Sequence, residues 1–121
     1  MTRLIVFGLL LSILPLSAEH KRIRHKRPVP MEATAYAQHG TTKSGAQTRR
    51  GVVAADPHVL PLGTKVKVTG AGRYSGEYVV KDTGKKVKGR TIDVFMPSRR
   101  EAKQFGRKDV KVKVVKPAPK E

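Results

Sequence analysis

The sequence predicts an all-β domain, a small barrel or sandwich of six short strands with one short helix. Three observations predict it. Past residue 30 the apolar residues come in short β-branched runs, several of them alternating with polar residues. Gly, Pro and Asp separate the runs and supply turns. With 121 residues, three Phe, three Tyr and no Trp, the chain suits one domain with a core of Val, Ile, Leu and Ala.

Residues 1–18 precede that domain. Met1, Thr2 and Arg3 form a basic start, residues 4–16 are almost wholly apolar, and Ser17 and Ala18 offer small residues for cleavage. This is the pattern of a secretory signal peptide. The apolar run is shorter than the roughly 20 residues of a spanning helix, so an uncleaved anchor helix is the lesser alternative. With no Cys in the chain, a lipoprotein anchor, disulfides, thiolate metal sites and a Cys nucleophile are all excluded. Residues 19–30, EHKRIRHKRPVP, lack apolar periodicity and read as a basic, solvated linker that includes His20 and His25.

The domain is expected over 31–115. Its strands are expected at 33–37, 52–55, 65–68, 77–80, 91–95 and 111–115. The segment 70–76 reads as the turn of a hairpin between the third and fourth. Ser98 and Glu101 have capping-box spacing, which starts a two-turn helix with Ala102 and Phe105 on its apolar face and Gly106 at its end. So short a helix must lean on the sheet to persist. Residues 116–121 are expected to be a frayed tail.

The chain carries 26 Lys and Arg against 9 Asp and Glu, a formal charge of +17. Loss of Arg3 with the leader leaves 25 basic residues and +16. Such a charge seeks an anionic surrounding. Export argues against nucleic acid and for cell-wall polymers.

Against that background the domain's acids stand out. Glu101 belongs to the cap, Asp109 reads as a turn residue, and Glu77 as part of a solvated strand face. Asp56, in AADPHVLPLGT, and Asp82, in KDTG, suit turns as well as a site. Asp93 differs. On a period of two, Ile92 and Val94 point to one face and Thr91, Asp93 and Phe95 to the other. A carboxylate in mid-strand is unfavourable and needs a partner, a solvated cleft or a function. His39 and His58 have no Ser or Asp context for a catalytic triad, and their spacing matches no standard zinc motif. No metal or cofactor is expected.

The segments ATAYA (33–37), TKSGAQTRRGVVAADPHVLPLGTKVKVTGAG (42–72), VVKDTGKKVKGRTIDVF (79–95) and EAKQFGRKDVKVKVV (101–115) resemble the three-aspartate, or 3D, domain family. That resemblance implies a double-psi β-barrel of six strands. It also implies kinship with the barrel of membrane-bound lytic murein transglycosylase A and of stationary-phase muralytic proteins. These cut the MurNAc–GlcNAc β-1,4 bond of peptidoglycan without water and leave a 1,6-anhydro end. By the resemblance, Asp93 is the catalytic acid/base, Asp82 lies beside it, and Asp56 supports the site. Relatives often carry DTGGAIKG where this chain has DTGKKVKG, so Lys85 and Lys86 replace a small or apolar pair.

The chemistry needs one carboxyl that first donates a proton to the glycosidic oxygen and then recovers one from the sugar's own 6-hydroxyl. Asp82, Asp56 and desolvation would keep Asp93 protonated, whereas Lys81, Lys85, Lys86, Lys88 and Arg90 would oppose this if they point inward. The alternatives are a non-catalytic wall-binding module and a purely structural role for the aspartates. The expected partners are peptidoglycan glycan strands and anionic wall polymers, without nucleic acid, for a monomer in the periplasm, cell wall or medium. N-terminal sequencing of exported protein should begin near Glu19. A mature chain that retains Met1 would exclude cleavage.

Overall fold

The computed structural model describes residues 27–37 and 50–120. The expected signal peptide, the linker up to residue 26 and His39 lie outside the described residues. Six strands run in the order β1 (Val29–Tyr36), β2 (Val52–Ala55), β3 (Lys65–Thr69), β4 (Gly76–Asp82), β5 (Thr91–Phe95) and β6 (Lys108–Lys116). A 3-10 turn (Gly72–Tyr74) lies in the β3–β4 hairpin, and one helix, α1 (Arg99–Phe105), joins β5 to β6.

The strands close into a barrel in the order β1-β5-β2-β4-β3-β6. β1 with β5, and β2 with β4, are parallel. The other four pairings are antiparallel. Two parallel pairs inside an otherwise antiparallel closed sheet make the double-psi barrel. Closure removes every exposed sheet edge.

Alternation explains the core. Met31 and Ala33, Val53 and Ala55, Val66 and Val68, Tyr78 and Val80, Ile92 and Val94, and Val110, Val112 and Val114 all point inward and are buried. Leu60 and Met96, from loops, plug the barrel and are fully buried. A β-branched core of this kind fits a pleated surface and needs no large aromatic filling.

Two strands are longer than the alternation suggested. β1 takes in Val29 and Pro30, read above as linker, because Val29 pairs with Val112 and Pro30 with Lys111. β6 starts at Lys108, so Asp109 is a strand residue opposite Glu32 and not a turn residue. The tail is held near its end: a Cβ on Gly63 would come within 2.9 Å of the Pro119 ring.

Helix α1 starts as the capping spacing requires. Ser98 is extended and its Oγ accepts the Glu101 N–H at 3.1 Å. The Glu101 carboxylate turns elsewhere: it accepts the Tyr74 hydroxyl at 3.0 Å and lies 3.5 and 3.6 Å from Arg50 and Arg73. Phe105 is buried edge-on against Tyr74, with centroids 5.4 Å apart. The helix therefore leans on the β3–β4 hairpin through both an ion pair and a ring.

Candidate active site

Register brings the site together. Asp93 on β5 pairs with Thr34 on β1 and with Ala54 on β2, and Ala54 pairs in turn with Asp82 on β4. Paired residues share a face, so Thr34, Asp93, Ala54 and Asp82 form one row across four strands on the outside of the barrel.

Asp82 reaches that row only through an irregularity. In β4, simple alternation from Tyr78 and Val80 would send Asp82 into the core. Between Val53 and Ala54 the β2–β4 register shifts, so that Val53 faces Val80 while Ala54 faces Asp82. Lys81 is the extra residue of a bulge, and the bulge turns Asp82 outward to the face of Asp93.

Asp93 is half-buried. Thr34 Oγ1 donates to its Oδ1 at 2.9 Å. Burial raises the pKa of its carboxyl, the Thr34 hydrogen bond pulls it down, and the negative charge of Asp82 raises it again, for a net upward shift. Asp82 Oδ1 accepts the Thr83 N–H at 2.9 Å at the end of its strand.

Tyr36 completes the cluster and escaped the sequence reading. It follows Thr34 on the same face of β1, pairs with Phe95 and packs edge-on against its ring, with centroids 5.7 Å apart. Burial, Asp82 and Asp93 together hold its phenol well above the ordinary range. Its hydroxyl is buried without a hydrogen-bond partner among the described residues. Beyond Tyr36, an open cavity of about 650 Å³ is lined by Ala37, Arg99, Arg100 and Lys103. The period-two pattern of ATAYA was the available signal for Thr34 and Tyr36, but it names no partner strand.

Asp56 follows the end of β2, two residues past Ala54 of this row. It is fully buried, accepts the His58 N–H at 2.9 Å through Oδ1, and accepts the Gly89 N–H at 2.8 Å through Oδ2. It thereby ties the loop after β2 to the loop that leads into β5. That second loop turns at Gly84, whose carbonyl accepts the Val87 N–H at 3.1 Å. A Cβ at Gly84 would meet Val87 Cγ2 at 2.7 Å, so only Gly lets Val87 tuck in and be buried. Lys85 and Lys86 occupy the exposed tip of this turn, and Lys88 and Arg90 are exposed too. Lys81 is half-buried. Among the described residues, no three His, Asp or Glu side chains gather closely enough to hold a metal ion.

A family model described as "3D domain" matches residues 51–116. The chain belongs to the 3D domain family. This 3D domain protein is 40% identical over 98 residues to the cell wall-binding protein YocH of Bacillus subtilis, covering 74% of this chain and 33% of YocH. It is 41% identical over 80 residues to YabE, a protein of the same organism named for cell wall shaping, covering 63% of this chain and 19% of YabE. The chain thus spans a third or less of the length of these two relatives. Among solved structures, the Escherichia coli lytic transglycosylase MltA matches with a TM-score of 0.56 and 22% identity, over 68% of this chain and 29% of MltA. An expansin from Clavibacter michiganensis matches with a TM-score of 0.57 and 19% identity, over 77% of this chain and 53% of the expansin. These structural likenesses establish a shared barrel.

Stability separates the aspartates. Asp56→Ala removes the acceptor of two backbone N–H groups and should lower unfolding free energy by about 3 kcal/mol, read by denaturant titration. Asp93→Asn should act oppositely. A raised folded pKa means that the stability linked to this proton is fully present below the unfolded value, about 4, and is lost as pH rises through the folded value. The Asn variant should therefore melt higher than wild type at neutral pH, with the gap closing below about pH 4. A lower melting temperature at pH 7 would make Asp93 a structural carboxylate.

Proposed function

We propose that this 3D domain is a lytic transglycosylase-like cell-wall enzyme. It would cleave the MurNAc–GlcNAc β-1,4 bond of peptidoglycan and leave a 1,6-anhydro end. The observation that carries the proposal is Asp93, a half-buried mid-strand carboxyl with a raised pKa beside a second carboxylate, Asp82. A half-buried carboxyl with a raised pKa beside a second carboxylate is the arrangement expected of a general acid.

In the proposed reaction the Asp93 carboxyl gives its proton to the leaving O4 as the C1–O4 bond breaks. Asp82 stabilises the positive charge that develops at the ring. The 6-hydroxyl of the same sugar then bonds to C1 and its proton returns to Asp93. Water is not consumed, and the acid is regenerated in one cycle. Thr34, which donates to Asp93 Oδ1, fixes the carboxyl plane and leaves Oδ2 for the transferred proton. Asp56 takes no proton in this scheme; it positions the loop that leads into β5. Arg99, Arg100 and Lys103 beyond Tyr36 suit a substrate whose side groups carry carboxylates. The protein would work outside the cytoplasm, as the leader-like residues 1–18 also suggest.

A non-catalytic peptidoglycan-binding role is the second reading. It is favoured by the relative named as cell wall-binding, which shares 40% identity over 98 residues.

Mass spectrometry of purified peptidoglycan after incubation decides between them. Wild type should release anhydro-muropeptides, and Asp93→Asn should lose about 10²–10⁴ of the rate while remaining folded. Asp82→Asn should shift the alkaline limb of the pH–rate profile to lower pH, because removing the neighbouring anion lowers the pKa of Asp93. Full activity in folded Asp93→Asn would end its assignment as the acid, and no anhydro product from wild type would leave the binding role.

A further inference from the structure

The outer face of β3 and β6 is a ladder of lysines. Lys65 and Lys67 on β3, and Lys111, Lys113 and Lys116 on β6, all lie off the core. Lys67 stands directly opposite Lys113, and Lys65 opposite Lys116. Like charges placed directly across a ladder are destabilising. The Lys65–Lys116 pair bears this cost in full, and the Lys67–Lys113 pair in part, because Lys67 also faces Glu77 on β4.

Familiar reasons for strand lysines do not apply. Lysine is often used to blunt an exposed sheet edge, but this barrel is closed and both strands are paired on each side. The protein's own carboxylates account for few of these lysines: Glu77 on β4 stands opposite Lys67, and Asp109 lies two residues before Lys111, which leaves five lysines beside two acids. Glu101 is met by Arg50 and Arg73, and Glu32 by Arg107 at 2.9 Å. Among the described residues, the ion pairs at Glu101 and Glu32 thus use arginine, whose planar fork matches a carboxylate. Neither β3 nor β6 contains an arginine.

The ladder also lies away from Asp93. In the ring of strands, β5 with Asp93 lies three places from β3 in either direction. Asp93 is therefore across the barrel from β3, whereas β4, which carries Asp82, pairs with β3 directly.

We propose that the β3–β6 face is a second binding site, for a linear polyanion with a phosphodiester backbone. Residues two apart on a strand are about 6.8 Å apart, and neighbouring strands about 4.8 Å. From Lys111 to Lys116 this lays point charges in two files over about 17 Å. A polymer with evenly repeated monoanionic groups can run along such files in any register, which suits mobile ammonium groups better than rigid forks. Cost in the free protein becomes affinity in the complex, since the polymer screens the lysine pairs from one another.

The test uses the purified chain and a soluble poly(glycerol phosphate), which has no glycosidic bond in its backbone. Its outcome is therefore independent of the transglycosylase proposal. Substituting all five lysines by Gln should weaken binding at least tenfold at low salt. A charge-matched control, with Lys85, Lys86, Arg99, Arg100 and Lys103 changed to Gln, should weaken it less than threefold. The single opposed pair, Lys65→Gln with Lys116→Gln, should weaken binding measurably and raise the melting temperature, which guards against a folding artefact. Equal loss in the control would show that net charge alone attracts the polymer, and unchanged binding in the ladder variants would remove the site. Ladder-dependent binding to phosphatidylglycerol vesicles without binding to the polymer would assign the face to a membrane instead and overturn the proposal.

Discussion

The fully buried carboxylate of Asp56 accepts backbone N–H groups from His58 and from Gly89, 33 residues further on, and the site depends on that tie. Asp56 directly follows the end of β2, and Gly89 lies just before β5. These two strands pair antiparallel, with Ala55 opposite Ile92. The tie therefore clamps the end of the ladder next to Asp93. A buried anion without partners would cost several kcal/mol. Satisfied by oriented backbone donors, it instead locks two loops into one arrangement. Arg90, next in the chain, adds a second lock through its carbonyl, which accepts the Glu32 N–H at 3.0 Å.

Once β5 is clamped, the position of Asp93 follows. The inward side of β5 is spent on Ile92 and Val94, both buried. Asp93 therefore faces outward, yet its neighbours on the row leave it only half exposed. Thr34 supplies one hydrogen bond, too little to offset both desolvation and the charge of Asp82. The result is a carboxyl that holds its proton more tightly in the folded chain than in the unfolded one. The bulge at Lys81 is equally necessary, since without it Asp82 would point into the barrel among Val80 and its neighbours.

The basic residues are divided by geometry as well. Arginines secure α1 and β1 through Glu101 and Glu32. Lysines cover the wall formed by β3 and β6, and two more cap the turn beside the site, where the family pattern has a small or apolar pair. At that exposed tip they extend into solvent while Val87 fills the apolar space beneath the turn. Asp93 on β5 and the lysines of β3 thus stand across the closed barrel from one another.

The sequence by itself determined the local structure. Short apolar runs between turn residues, several of them alternating, located all six strands, Ser98 located the helix start, and the odd placement of Asp93 between Ile92 and Val94 identified the residue that needed explaining. These are effects of near neighbours, carried by side-chain alternation and by one cap. The strand ends were less legible: Val29 and Pro30 join β1 only because β6 offers them partners. The Glu101 carboxylate was out of reach as well, because Tyr74, Arg50 and Arg73 come from elsewhere in the chain. Only the tertiary structure decided which strands are neighbours, that a bulge turns Asp82 toward Asp93, that Asp56 is buried as a tie, and that Tyr36 stands beside both acids. Each of these rests on pairing between distant segments, and a one-residue shift in such pairing moves a side chain to the opposite face.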